Sequence, residues 1–283
     1  MTFNDLHYTR IWGNWLCWWT DPFLMWELLY FKECYSLQGS APEYDHIWVF
    51  YGANGEDYAQ REYLDMNRYN ALQRYGIQQI TDYPYYKDTI MTFLHKLAHG
   101  SEQVDSMTSE DNLFCLIESH GNWNGIHSYF RVEDGADSIW DYEFADSLAN
   151  IHCGTKTIWM QPCHSGGFID DLADTNTIIF TACADSEVAY KADDIPIWRP
   201  WYDPDNWKQY MVYDAEHDVY FSEDLQDTIL QTHGEFSFHA MNAARGETPK
   251  GIPIRSDYNH DLLVSMSEIK QYVLKWDSWQ LSW

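Results

Sequence analysis

The sequence predicts an α/β domain with a mainly parallel central sheet and helices on both faces. Three observations carry this. Short apolar, β-prone runs at residues 46–51, 113–117, 157–160 and 177–182 each stop at small or polar residues. Stretches with helical spacing of apolar residues, at 23–37, 87–99 and 141–151, alternate with the runs. The 283 residues suit one large domain, and 17% aromatic residues supply bulk for its core.

Taken in order, Tyr8–Trp12 reads as a first strand and Gly13-Asn14 as its turn. Thr20-Asp21-Pro22 starts a helix with proline just inside, and the apolar spacing of Phe23–Leu37 continues it as far as Gly39. His46–Tyr51 is a second strand, closed by Gly52. Residues 53–86 are rich in Tyr, Asn, Asp and Gln without a period, and read as an irregular excursion from the sheet. Lys87–His99 places Ile90, Met91, Phe93, Leu94 and Leu97 on one helical face.

Leu113–Ile117 is a strand ending in Glu118-Ser119-His120-Gly121. Ser128–Val132 is a hairpin arm, and Asp141–Ile151 a helix that crosses back. Strand Thr157–Met160, helix Phe168–Leu172 and strand Thr177–Ala182 follow. Residues 191–231 break the rhythm: they are acidic, aromatic and contain proline. Loops of that length are functional or disordered, and the Trp and Tyr content speaks against disorder. Gly234–Ala244 is amphipathic, and a loop plus helix occupies 257–275. Residues 1–283 thus form a single domain with excursions at 53–86 and 191–231.

A net charge of −27 speaks against nucleic acid and against an acidic membrane surface, because phosphates would be repelled. No apolar run reaches the ~18 residues of a membrane span. The opening MTFNDLHYTR lacks the basic-then-apolar pattern of a secretion signal. Six cysteines, at 17, 34, 115, 153, 163 and 183, lie mostly in apolar settings. Free thiols in a reducing compartment, and so a cytoplasmic location, are expected.

The chemistry concentrates in two places. In TKTIWMQPCHSGGFIDDL, residues 155–172, an apolar strand ends at Cys163, and glycines and a helix follow. A thiol on a turn at the C-terminal end of a strand sits where open α/β sheets bind ligands, and a helix N-terminus favours its thiolate. In DNLFCLIESHGNWNGI, residues 111–126, a second strand ends at His120-Gly121. The 43 positions between His120 and Cys163 allow one crossover between neighbouring parallel strands, which sets the two side by side. Singly, a buried structural cysteine and a satisfied turn histidine are the commoner outcomes.

Together, His120-Gly121, the block CHSGGF and the later TACADSEVAY resemble the caspase-like cysteine peptidases, above all their legumain-like branch. Trp19-Thr20-Asp21, Gly234-Glu235-Phe236-Ser237 and DYNHDLLVSMSE are further echoes, so the resemblance runs from about residue 8 to about residue 275. It implies a caspase-like three-layer sandwich. It further implies an endopeptidase that attacks peptide carbonyls with Cys163, uses His120 for proton transfer, and holds the oxyanion on the backbone N–H groups of Gly121 and Cys163. Asn14 stands where legumain-like enzymes set an asparagine beside the histidine. No cofactor is required, the substrate is a protein or peptide, and an activating partner or autolysis in 191–231 fits a clan usually held in check.

Where legumain-like enzymes that cleave after Asn have an acidic residue directly after the cysteine, this chain has His164. That departure weakens Asn specificity. Asp185, Glu187, Asp193 and Asp194 are candidate pocket acids, and favour Arg or Lys before the cut.

Two other functions compete. A silent caspase-like binding or regulatory module would keep the fold without turnover. A zinc site of His152, Cys153, Cys163 and His164 has the right ligand types, but a strand separates its halves. Near the end, Asp257, Asn259, Asp261 and Glu268 follow EF-hand spacing, which makes calcium a candidate ion. The sixth position of that register is Leu262 where glycine is wanted, and Ser265-x-x-Glu268 reads equally as a helix capping box.

Overall fold

The computed structural model describes residues 2–4, 48–51, 82–132, 137–189, 235–246 and 254–276. The expected strand at Tyr8–Trp12, the helix at 23–37, most of the 53–86 excursion and all of 191–231 lie outside these residues.

Five parallel strands form the main sheet in the order β2-β1-β3-β7-β8. They are β1 (Thr2–Asn4), β2 (Val49–Tyr51), β3 (Asn112–Glu118), β7 (Thr155–Met160) and β8 (Thr177–Thr181). The expected neighbours are neighbours: β3 pairs with β7 from Asn112↔Thr155 to Ile117↔Met160. Their connection carries a second sheet that the sequence reading caught only in part. It is antiparallel, with β4 (Gly121–Trp123), β5 (Ser128–Arg131) and β6 (Ser138–Trp140).

Strand alternation sorts the core into two layers. Cys115, Ile117, Ile158 and Met160 face one side. There they meet α1 (Lys87–His99) through Ile90, Phe93 and Leu94, and α2 (Asp141–Ala149) through Phe144 and Leu148. The offset residues Leu116 and Trp159 face the other side, with Phe180. These meet α4 (Glu235–Arg245) through Phe236, Ala240 and Met241, and α5 (Met266–Trp276) through Ile269 and Val273. The result is the expected three-layer α/β sandwich.

Helix ends follow local chemistry. Gly100 closes α1 at φ 78, with its N–H on the Lys96 carbonyl at 2.7 Å. Glu143 accepts from the Trp140 N–H at 3.0 Å and pairs with Lys87 at 2.8 Å, which ties the starts of α2 and α1 together. The described cysteines, at 115, 153, 163 and 183, form no disulfide.

Candidate active site

Strands β3 and β7 end level with each other, and the polypeptide stays paired just beyond them. The Gln161 N–H donates to the Ile117 carbonyl at 3.0 Å. His120 and Cys163 follow two residues after Ile117-Glu118 and Gln161 respectively, at the same edge of the sheet. The His120 carbonyl is fixed by the Arg131 N–H at 2.8 Å and by the Ser119 hydroxyl at 3.2 Å. The β4–β5 ladder therefore sets the exit direction of the histidine segment.

The Cys163 turn is a close-packed junction of remote segments, and its small residues explain how. A Cβ on Gly121 would overlap the Cys163 carbonyl oxygen and press on Pro162. One on Gly166 would sit 2.6 Å from the Asp185 nitrogen, and one on Gly167 would overlap the Ser128 hydroxyl. Glycine at 121, 166 and 167 thus lets the histidine segment, the loop after β8 and the hairpin all reach the turn. A single 3-10 turn, Ser165–Phe168, then leads into the short α3, Ile169–Leu172. The sequence reading placed one helix from Phe168.

His164 occupies the left-handed region at φ 60, ψ 21. Its N–H donates to the Glu187 carbonyl at 2.8 Å, and its Nδ1 lies 2.7 Å from the Asp185 carbonyl. The loop after β8 is thereby laced to the residue beside Cys163. Cys183, buried beneath, has its Sγ 3.6 Å from the Pro162 carbonyl and 3.4 Å from that of Glu187. Burial pushes its thiol up to about 11, so it stays neutral.

Cys163 itself is partly exposed. Burial raises its thiol above the ordinary value, while main-chain groups of Ala189, Gly121 and Cys163 next to the sulfur pull the other way. The Sγ lies 3.8 Å from the Ala189 carbonyl, which accepts the S–H. A protonated resting thiol follows from this arrangement.

Of the pocket candidates, Asp185 and Glu187 are exposed on the loop that wraps the turn. Glu187 also caps that loop, accepting the Ala184 N–H at 3.2 Å. Asp193, Asp194 and Asn14 lie outside the described residues. His152-Cys153 and Cys163-His164 stand at opposite ends of β7, whose six residues span roughly 20 Å, so they cannot share one zinc ion.

The Asp257–Glu268 loop uses most of its side-chain oxygens on its own amides. Glu268 Oε1 accepts from the N–H groups of Tyr258 and Asn259 at 2.9 and 3.1 Å. Its Oε2 takes the Ser265 N–H and hydroxyl at 2.9 and 2.8 Å, and the Ser265 hydroxyl caps the Glu268 N–H at 3.3 Å. That is the reciprocal capping box. Asp257 Oδ2 accepts from Leu262, Asn259 from Asp261, and Asp261 from Leu263, at 2.8–3.0 Å. Leu262 takes φ 71, so the sharp turn forms without glycine. Asp257 Oδ1 is enclosed and has no hydrogen-bond partner among the described residues.

One buried group escaped the sequence reading. Glu118, at the end of β3, accepts from the Ser237 hydroxyl on α4, and Ser237 also donates to Gln161 Oε1 at 3.1 Å from both its N–H and its hydroxyl. All three are buried, directly below the two strand ends. The visible signal was parity: Glu118 shares the face of Leu116, and an acid there needs a polar partner.

No curated protein matches the chain. The model of the Peptidase C13 family matches residues 44–242, which include both strand ends, the Cys163 turn and the loop after β8. The chain therefore belongs to the peptidase C13 family and is a legumain-like cysteine peptidase of the caspase-like clan.

Proposed function

We propose that this peptidase hydrolyses peptide bonds through a dyad of Cys163 and His120. The observation that carries the reading is the seating of Gly121 on the Cys163 carbonyl, which joins the histidine segment to the nucleophile turn. In the reaction the Cys163 sulfur attacks the substrate carbonyl carbon, and His120 takes the thiol proton. The Gly121 and Cys163 N–H groups stabilise the oxyanion. Collapse breaks the C–N bond, His120 returns the proton to the leaving amine, and water then hydrolyses the thioester.

Burial raises the Cys163 thiol, which makes proton transfer to His120 part of the attack. Cleavage after Arg, then Lys, ahead of Asn and Asp, is the specificity we infer. It is supported by the exposed carboxylates of Asp185 and Glu187 on the loop laced to His164, and by 44 acidic against 17 basic residues in the chain. Regulation through 191–231, by autolysis or a partner, is supported by the order of the chain: that segment begins two residues after Ala189, whose carbonyl lies 3.8 Å from the Cys163 sulfur.

A thiol-directed peptide probe tests the dyad. It should label Cys163 alone, and labelling should fall in His120→Ala. A panel of fluorogenic peptides varied only before the cut tests specificity; a preference for Asn, Asp or an apolar residue would overturn the basic pocket and leave the dyad standing.

A further inference from the structure

We propose that His127, Asp141 and Asp171 form a zinc site that fastens the segment after His120 to the segment after Cys163. Their ligand atoms all lie within 4.8 Å of one another, although they come from three parts of the chain. His127 stands in the β4–β5 hairpin, Asp141 begins α2, and Asp171 lies on α3. His127 Nδ1 is 2.9 Å from Asp141 Oδ1. Two ligands of one tetrahedral zinc, each at about 2.0–2.1 Å, stand about 3.3 Å apart, so only a small adjustment is needed.

The buried member is prepared for the role. Asp141 is 1% exposed. Its Oδ2 accepts the Ser128 N–H at 2.7 Å, and its Oδ1 the Tyr142 N–H at 2.8 Å. Fixed main-chain donors of this kind orient a ligating carboxylate. The Ser128 hydroxyl is fully buried beside this hub and has no hydrogen-bond partner among the described residues. His127 and Asp171 remain open to solvent, which gives an ion an entry path and leaves a fourth position for water.

An imidazole with two carboxylates suits zinc, whereas calcium and magnesium take oxygen ligands throughout. Zinc bound at His127 Nδ1 leaves the ring its N–H at Nε2. The same contacts serve, without an ion, as a His–Asp pair at the start of a helix, so the ion itself must be measured. Another chelating pair must also be separated out: His95 and His99 are exposed one turn apart on α1, with ring centroids 4.3 Å apart.

The test uses the full chain carrying His120→Ala and Cys163→Ala, so that the dyad cannot bind the metal, stripped of ions and titrated with Zn2+. Calorimetry and thermal melting are read together. We expect Zn2+ to raise Tm. Asp171→Asn, exposed and harmless to the ion-free Tm, should weaken the site by about tenfold or more and remove the gain. His127→Gln should do the same, and His99→Ala should leave it intact. No gain in Tm, a gain untouched by Asp171→Asn, or a gain lost with His99→Ala would each overturn the site. None of these outcomes depends on peptidase activity.

Discussion

Among the described residues two loops hold non-glycine residues in the left-handed region, and they are stabilised in opposite ways. In the Cys163 turn, His164 at φ 60 is held from far away, by carbonyls of Asp185 and Glu187. Gly121 admits the Cys163 carbonyl from about 40 residues later, and Gly167 the Ser128 hydroxyl from about 40 residues earlier. In the C-terminal loop, His260 and Leu262 at φ 62 and 71 sit among carboxylates whose partners lie within ten residues. A loop satisfied locally stabilises itself. A loop fixed by remote segments can keep donors beside its sulfur for a substrate. The difference teaches that two motifs equally visible in a sequence can have different work: one draws remote segments together around a cysteine, the other caps a helix.

The comparison breaks most sharply at Gly121. Gly121→Ala should cost peptidase activity about a hundredfold or more, because a methyl there displaces the Cys163 carbonyl and small misplacements of reacting groups have effects of that size. Steady-state kinetics at matched folded protein, checked by circular dichroism, would show it. Activity within a factor of about three of the parent would mean that the junction is not the catalytic one.

Replacing each left-handed residue by glycine sharpens the contrast. Leu262 is 91% exposed, so Leu262→Gly removes backbone strain and little else; a gain of about 1 kcal/mol with unchanged kcat/KM is expected. His164→Gly relieves the same strain but removes the Nδ1 link to Asp185. Its Tm should hold or rise while kcat/KM falls by roughly tenfold. Equal kinetic effects at the two positions would erase the distinction.

Ser265→Ala should destabilise by about 1 kcal/mol through the lost cap, with activity per folded molecule unchanged. The pH dependence carries the same mark. The Ser265 N–H and hydroxyl, with the Asn259 and Tyr258 N–H groups, hold Glu268 down at about 2 against an ordinary 4.5. As pH falls, the unfolded chain takes up this proton first. The contribution is therefore full above about 4.5 and lost towards 2, and Glu268→Gln should flatten the acid decline of Tm.

At the other end of the scale, burial holds Cys115 up at about 12 against 9.0. Here the unfolded chain loses its proton first. That contribution is present below about 9 and lost as pH rises towards 12, and Cys115→Ala should flatten the alkaline decline in Tm.

Much of this was legible beforehand. Lys87–His99 ends where its apolar face and Gly100 end it, and β3 and β7 are apolar runs bounded by polar residues. Their adjacency followed from one crossover rule. The loop after β8 was visible only as a motif, TACADSEVAY; that His164 would bind its carbonyls depends on a left-handed residue that no periodicity announces. The small sheet of β4, β5 and β6 has strands of three or four residues, too short to show alternation. Glu118, Gln161 and Ser237 meet only because α4 packs across the sheet, and His127, Asp141 and Asp171 only because three connections converge. Such meetings are tertiary: the parity of Glu118 shows that it needs a polar partner but does not say which.

The most direct test of the dyad is a double-mutant cycle on peptide hydrolysis with Cys163→Ala, His120→Ala and both together. Each single change should lower kcat/KM by about a thousandfold or more, and the double change should be little worse than either, because groups that act as one unit are strongly non-additive. Losses that multiply, or a Cys163→Ala enzyme retaining activity within about tenfold of the parent, would contradict the assignment of Cys163 and His120 to one catalytic apparatus.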